Sequence, residues 1–320
     1  KDYLLPLEPV TSGDGELHIT IRKRTEAAAP FGIFSAAGSA VTLQGVVLDA
    51  DSELLPPLAP PRRLLEFYGD SDTCAFGNEG RRTSASSMLS LIRSAYSAPA
   101  QDASRAYPAL VAAALDASAH NISWSGLGVC WNAPFCGQEA MNQKWDRLVA
   151  TDAGCGTVRS TAEASSGRSS PQPDAVVIYL GGNDYWTMGD HPPSGRSVKG
   201  HTEDNLVEGY AALLAAIRAA RPPPIPIFVL DCDARSGSCL DSEQEQAAFA
   251  ETMGRVLHAA VERASDPHTS LMPLRGQPSI DLADDSDFGV MGHWSVKGHA
   301  KIAAALAEQL GDKLGWRQHT

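Results

Sequence analysis

The segment Ala175-Val176-Val177-Ile178-Tyr179-Leu180-Gly181-Gly182-Asn183-Asp184 is an unbroken apolar run that opens onto a polar, glycine-rich turn. A strand apolar at every position has both faces covered, as central strands of a parallel sheet flanked by helices do. A second run, Leu64-Leu65-Glu66-Phe67-Tyr68-Gly69, ends in Asp70-Ser71 in the same way. In an open α/β sheet, ligands bind beyond the carboxyl ends of the strands. These two turns therefore bring Ser71 and Asn183 to one edge of a sheet.

Outward from these runs, strand and helix patterns alternate. A helix is expected over Pro108–Ala117, rich in Ala and Leu and with proline in its first turn. A strand follows over Asn121–Ser125, ending at Gly126-Leu127-Gly128. Residues 151–173, rich in Gly, Ser and Thr, read as a long surface loop. Glu203–Ala220 carries Leu206, Tyr210, Leu213, Leu214 and Ile217 on one helical face, and Pro222-Pro223-Pro224 stops it. Ile225–Leu230 reads as a further strand. Ser242 with Glu245 forms a capping box that starts a helix reaching Ser265. Ser270–Leu274 and Val296–Leu314 read as the last strand and a closing helix. This alternation predicts an α/β fold, a parallel sheet covered on both faces. Residues 1–62 differ: three β-type runs, at Leu17–Lys23, Phe31–Ser35 and Ala40–Ala50, precede a proline-rich strap at Leu55–Pro61. The expected division is a small β-sandwich-like domain with its linker over 1–62, and the main domain over 63–320.

Composition narrows the function. The 320 residues are 43% hydrophobic and carry a formal net charge of −12, which repels phosphate backbones and argues against a nucleic-acid partner. No window has the long uncharged apolar run of a membrane span. The chain starts at Lys1 without a signal-like segment, as expected of a trimmed chain or one whose leader has been removed. The six cysteines lack paired C-x-x-C knuckles, and the histidines, His191 and His201 among them, lack ligand spacing and read as surface residues, so no metal is expected. Cys130/Cys136 and Cys232/Cys239 are close pairs suited to small disulfide rings, which leaves Cys74 and Cys155 for each other. That reading points to an oxidising, extracellular setting; the alternative is six free thiols. Asn121-Ile122-Ser123 is a formal glycosylation sequon inside an expected buried strand.

The candidate site gathers Ser71, Gly126, Asn183 and His293. A hydroxyl, an imidazole and hydrogen-bond donors facing one point are the parts of an acyl-transfer site. A helix after Ser71 would aim backbone N–H groups at the crevice. Trp131, Tyr185, Trp186 and Trp294 flank these positions and offer faces on which sugar C–H groups stack.

Taken together, Gly69-Asp70-Ser71, Ser125-Gly126-Leu127-Gly128, Gly181-Gly182-Asn183-Asp184 and His293 ahead of Ser295-Val296-Lys297-Gly298-His299 resemble the SGNH hydrolase superfamily. The nearest likeness is to carbohydrate esterase family two, the acetylxylan-esterase-like group. Lys23-Arg24-Thr25-Glu26-Ala27 and Gly298-His299-Ala300-Lys301-Ile302-Ala303 are similar too, so the likeness runs from about residue 17 to 310. The resemblance implies a flavodoxin-like three-layer fold. It makes Ser71 the nucleophile and His293 the base, with an oxyanion hole from the N–H groups of Ser71 and Gly126 and the amide of Asn183. Asp70, Asp184 and His299 hold structure in this scheme.

One position departs from the pattern. The aspartate usual two or three residues before the histidine is replaced by Met291 and Val290. A backbone carbonyl can orient the imidazole instead, or Asp287 (less favourably Asp285 or Asp284) can reach in from the preceding loop. The expected protein is a secreted, monomeric serine esterase that removes O-acetyl groups from sugars or polysaccharides without a cofactor. The alternatives are a lipid or thioester hydrolase on the same scaffold, or a degenerate carbohydrate-binding protein.

Overall fold

The computed structural model describes residues 61–81, 100–134, 136, 139–147, 172–189, 195, 197–231, 242–274, 282 and 284–316, with 21, 23–26, 45, 47–48 and 53–56. The β-domain expected over 1–62 and the loop expected over 151–173 lie almost wholly outside the described residues.

Five parallel strands make one sheet: β1 (Arg63–Gly69), β2 (Ala117–Ser123), β3 (Ala175–Tyr179), β4 (Ile227–Leu230) and β5 (Thr269–Met272). Their spatial order is β2-β1-β3-β4-β5, the flavodoxin-like arrangement. The longer helices among the described residues are α1 (Tyr107–Ala114), α2 (Glu203–Ala220), α3 (Glu243–Ala264) and α4 (Val296–Leu314). The α/β three-layer architecture is thus the one the alternating pattern predicts.

The layers follow from residue parity. Along β1 and β3, Leu65, Phe67, Ala175, Val177 and Tyr179 face α1 and α4, meeting Tyr107, Val111, Ile302, Leu306 and Leu310. Their neighbours Tyr68, Val176, Ile178 and Leu180 face α2 and α3. Each fully buried Leu, Ile or Val contributes roughly 1.5–3 kcal/mol, so the two clusters dominate stability. The helices start where capping side chains supply acceptors: Thr202 for α2, the reciprocal Ser242–Glu245 box for α3 and Ser295 for α4. Glu66 alone breaks the apolar run of β1; its buried carboxylate is met by Arg221 at 2.7 Å and by the Tyr68 hydroxyl at 2.6 Å.

The edge of the sheet departs from the sequence pattern. The strand expected at Asn121 starts earlier, at Ala117, and α1 stops at Ala114, with Asp116 at φ 50 making the reversal. Asn121 is exposed on this edge strand, with its amide donating to Thr73 O at 2.9 Å. Among the described residues no helix is long and apolar enough to cross a membrane.

Pairing register sets up the site. Gly69 lies opposite Ser123 on one side and Tyr179 on the other. The loops carrying Ser71, Gly126 and Asn183 therefore leave the sheet from one row, beside the point where connections from β1 diverge to opposite edges.

Candidate active site

Gly69 lets β1 turn sharply: a Cβ there would lie 1.9 Å from Thr73 Oγ1. The chain then coils through turns, with Phe76 N donating to Ser71 O at 2.9 Å. Ala75 at φ 72 and Gly77 at φ 64 break the coil. The helix expected immediately after Ser71 is therefore replaced, over residues 71–79, by successive turns.

Ser71 and His293, far apart in the chain, meet here. The Ser71 hydroxyl lies 2.8 Å from His293 Nε2. On the other side of the ring, Nδ1–H donates to the Val290 carbonyl at 3.1 Å. This bond fixes the tautomer, leaving Nε2 as the acceptor that faces the hydroxyl. The carbonyl is aimed by a tight turn: Met291 has φ 55, Gly292 φ 73, and Gly289 N donates back to His293 O at 2.6 Å. Val290 itself is anchored, its N–H on Gly77 O at 3.1 Å and its side chain packed with Cys74 and Phe76. Phe76 presses edgewise on the imidazole, ring centroids 4.7 Å apart.

Asp287 does not reach the histidine. Its buried carboxylate is taken by Lys301 at 2.7 Å and Lys297 at 3.4 Å, which turns it away from Nδ1. Asp284 likewise binds Lys297, at 2.7 Å. Asp287→Ala is expected to keep kcat within about threefold of wild type while lowering the melting temperature, since it leaves a lysine without its buried partner. Steady-state hydrolysis beside a melting curve checks this.

The donors around Ser71 fall into two kinds. Gly126 sits at φ 75, and a Cβ there would lie 2.2 Å from Cys136 Sγ, so only glycine fits. Among the described residues, the N–H groups of Ser71 and Gly126 have no partner. Asn183 is also brought in, but its amide nitrogen donates to Asp70 Oδ2 at 3.0 Å and Leu127 O at 3.1 Å. Donation from Asn183 to a reacting oxygen would require one of these bonds to be shared.

Carboxylates brace the loops. Asp184 accepts from the N–H groups of Val129, Cys130 and Trp131, each at 2.8 Å. Burial pushes its carboxyl up to about 6, against the opposing pull of those amides. Burial, then the neighbouring Asp72 carboxylate, holds Asp70 well above the ordinary carboxylate range.

The aromatics divide. Trp294 is fully buried among Tyr107, Tyr179 and His299, so it is a core residue and not a substrate contact. Trp131, Tyr185 and Trp186 are half-buried on loops that Asp184 ties together. His201, expected on the surface, is half-buried: it stacks on Trp131 with ring centroids 4.1 Å apart and bonds Thr187 Oγ1 at 2.6 Å. The pairing of Cys130 with Cys136 is also corrected. Both are free thiols, with Cys130 against Gly209 of α2 and Cys136 against Gly126. Burial pushes both up to about 12, so they stay protonated. Cys74 is a buried free thiol, while Cys155, Cys232 and Cys239 lie outside the described residues. No group of three His, Cys, Asp or Glu side chains is placed to hold a metal among the described residues.

His299 supports the site from behind. Its Nδ1 accepts from Tyr107 N–H at 3.3 Å, and burial, with His293 nearby, brings its pKa down to about 3. An unfolded histidine titrates near ~6.5. The folded state therefore binds fewer protons between these values, and this contribution is full above about 6.5 and lost as the pH falls toward 3. Below pH 6.5 the wild type should lose about 1.4 kcal/mol per pH unit on this account. Denaturant titrations of wild type and His299→Leu should show a shallower acid slope in the variant; equal slopes would contradict the assignment.

The GDSL-like lipase/acylhydrolase family model matches residues 67–301. The cellulase/esterase CelE of Acetivibrio thermocellus is 34% identical over 307 residues, covering 95% of this chain. This chain spans only 31% of that relative's length. Among solved structures, a family two carbohydrate esterase from Clostridium thermocellum in complex with cellohexaose superposes with a TM-score of 0.60 at 23% identity, over 83% of this chain and 68% of that one. A family two enzyme with a carbohydrate-binding domain from Myceliophthora fergusii gives 0.60 at 24%, over 83% and 70%. An acetyl xylan esterase from the rumen bacterium Butyrivibrio proteoclasticus gives 0.58 at 21%, over 83% and 67%. At these identities the structural likeness establishes the fold.

Proposed function

The chain belongs to the GDSL-like lipase/acylhydrolase family, and from that premise we propose that it is a serine esterase removing O-acetyl groups from acetylated sugars or polysaccharides. The observation that carries this reading is the 2.8 Å contact between Ser71 Oγ and His293 Nε2, with Nδ1 held by a backbone carbonyl.

In this mechanism His293 Nε2 takes the Ser71 proton as Oγ attacks the acetyl carbonyl carbon. The carbonyl oxygen becomes an oxyanion, facing the N–H groups of Ser71 and Gly126, with Asn183 as the third donor. The imidazolium then protonates the leaving sugar oxygen, and an acetyl-Ser71 ester remains. Water attacks that ester, again giving its proton to His293, and acetate departs as Ser71 is re-formed. Among the described residues no side-chain carboxylate stands behind the base; the Val290 carbonyl supplies orientation through its dipole.

The sugar preference draws on Trp131, Tyr185 and Trp186, half-buried rings on the loops beside Asn183, and on the carbohydrate esterases that share the fold. A polymeric acetylated substrate places the enzyme outside the cell, and we read it as a monomer.

Acyl-chain profiling tests the reading. Acetate release from acetylated xylan and 4-nitrophenyl acetate is expected to exceed hydrolysis of longer acyl esters. Rates that rise with chain length, as added apolar area is buried, would favour a lipid or thioester hydrolase instead. Folded protein inert toward every ester would favour a carbohydrate-binding role.

A further inference from the structure

We infer that Glu26, which lies ahead of the family-matched residues 67–301, is a positioning residue of this site: its carboxylate fixes the Ser125–Gly126 turn so that the Gly126 N–H meets the developing oxyanion. The inference rests on the esterase reading above and adds to it a part supplied from the N-terminal segment.

The geometry is specific. Ser125 N–H donates to Glu26 Oε2 at 2.8 Å, and the Ser125 hydroxyl donates to Oε1 at 2.6 Å. Gln101 Nε2 adds a third donor at 3.1 Å, and Glu26 N–H donates back to Gln101 Oε1 at 3.3 Å. The segment before it is tied to the same loop, with Arg24 O accepting from Ala103 N–H at 2.9 Å and the Arg24 guanidinium 2.8 Å from Asp102. Glu26 itself is only 8% exposed.

Burying a carboxylate is unfavourable unless donors replace its water. Here two of the three donors belong to the residue next to Gly126. The far side of the turn is held as well, since Asn183 donates to Leu127 O at 3.1 Å. Gly126 thus sits between two clamped residues, at a positive φ that its own side chain does nothing to enforce. Glu26 and Asn183 together determine where its N–H points. The Cys74 thiol, 3.5 Å from both the Ser125 hydroxyl and the Ser71 carbonyl, links the clamp to the nucleophile's turn.

Removing an oxyanion donor lowers turnover by about 10²–10³-fold, and misplacing one by about an ångström costs a similar order. The test compares Glu26→Ala, Glu26→Asp and Glu26→Gln in the full chain, with 4-nitrophenyl acetate as substrate and melting curves for folding. Ser71→Ala runs alongside. Ala removes the acceptor and Asp retracts it, so kcat should fall about ten- to a hundredfold in both, with KM within about twofold of wild type. Gln keeps an oxygen for the Ser125 N–H and should restore kcat to within about threefold. A folded Asp or Ala variant with wild-type kcat overturns the inference, as does a loss confined to KM or a Gln variant no better than Asp. If the Ala variant does not fold, the Asp and Gln pair decides alone. Wild-type hydrolysis by Ser71→Ala would instead bring down the esterase reading itself.

Discussion

Ser71→Ala and His293→Ala are each expected to lower kcat for acetyl ester hydrolysis by at least about four orders of magnitude, with KM little changed. The two side chains act as one unit: the hydroxyl is nucleophilic only while the imidazole can take its proton. Removing the second after the first should therefore add almost nothing, and the double variant should match either single one to within about tenfold. Neither residue supports the core. Ser71 lies on a turn and His293 is held by its own backbone, so melting temperatures should stay near wild type. Steady-state kinetics on the three variants checks this, and additive losses, or a single variant keeping a tenth of wild-type turnover, would contradict the dyad.

Asp184→Ala is expected to have the largest effect on stability, at least about 3 kcal/mol. Three N–H groups, buried on Val129 and half-buried on Cys130 and Trp131, would lose their charged acceptor together. Each such bond contributes about 1.5–3 kcal/mol, offset in part by the desolvation that raises the carboxyl's own pKa. Native domains are stable by only about 5–15 kcal/mol, so the loss should appear as a large drop in the denaturation midpoint. Asp184→Asn retains one acceptor oxygen and should fall between. A folded Asp184→Ala variant with a wild-type midpoint would show that the loop 129–131 holds itself.

The sequence is most legible where residues are buried on both sides. The apolar runs of β1 and β3 announce central parallel strands, and α3 begins at the Ser242–Glu245 box that the pattern marks. β2 is harder: Ala117-Ser118-Ala119-His120 mixes polar and small residues because one side of an edge strand meets solvent. Ser71 lies at the end of β1, but His293 stands in the turn ahead of α4, so their meeting is legible through the motif likeness and not through a strand end. What lies behind the imidazole is not legible, because a turn at Met291 aims a carbonyl and no side-chain pattern records it. Asp287 looks available in sequence, yet Lys297 and Lys301, one and two turns into the neighbouring helix α4, claim its charge. Trp294 looks like a cleft aromatic, but its chain direction, set by the bridge between Phe288 and Trp294, sends the ring into the core. Cysteine spacing says nothing of where each Sγ points, and Cys130 and Cys136 point at different glycines. Glu26 is least legible, since its partners at 101 and 125 are joined to it only by the folded chain.

The most direct measurement of the central claim is intact mass spectrometry of the chain after exposure to a fluorophosphonate. An activated serine displaces fluoride and gains one phosphonyl group, whereas an ordinary hydroxyl does not react. The account predicts a single adduct that maps to Ser71, absent from Ser71→Ala and formed far more slowly by His293→Ala. Folded wild-type protein that takes up no label, or a Ser71→Ala variant labelled as fast as wild type, would contradict it.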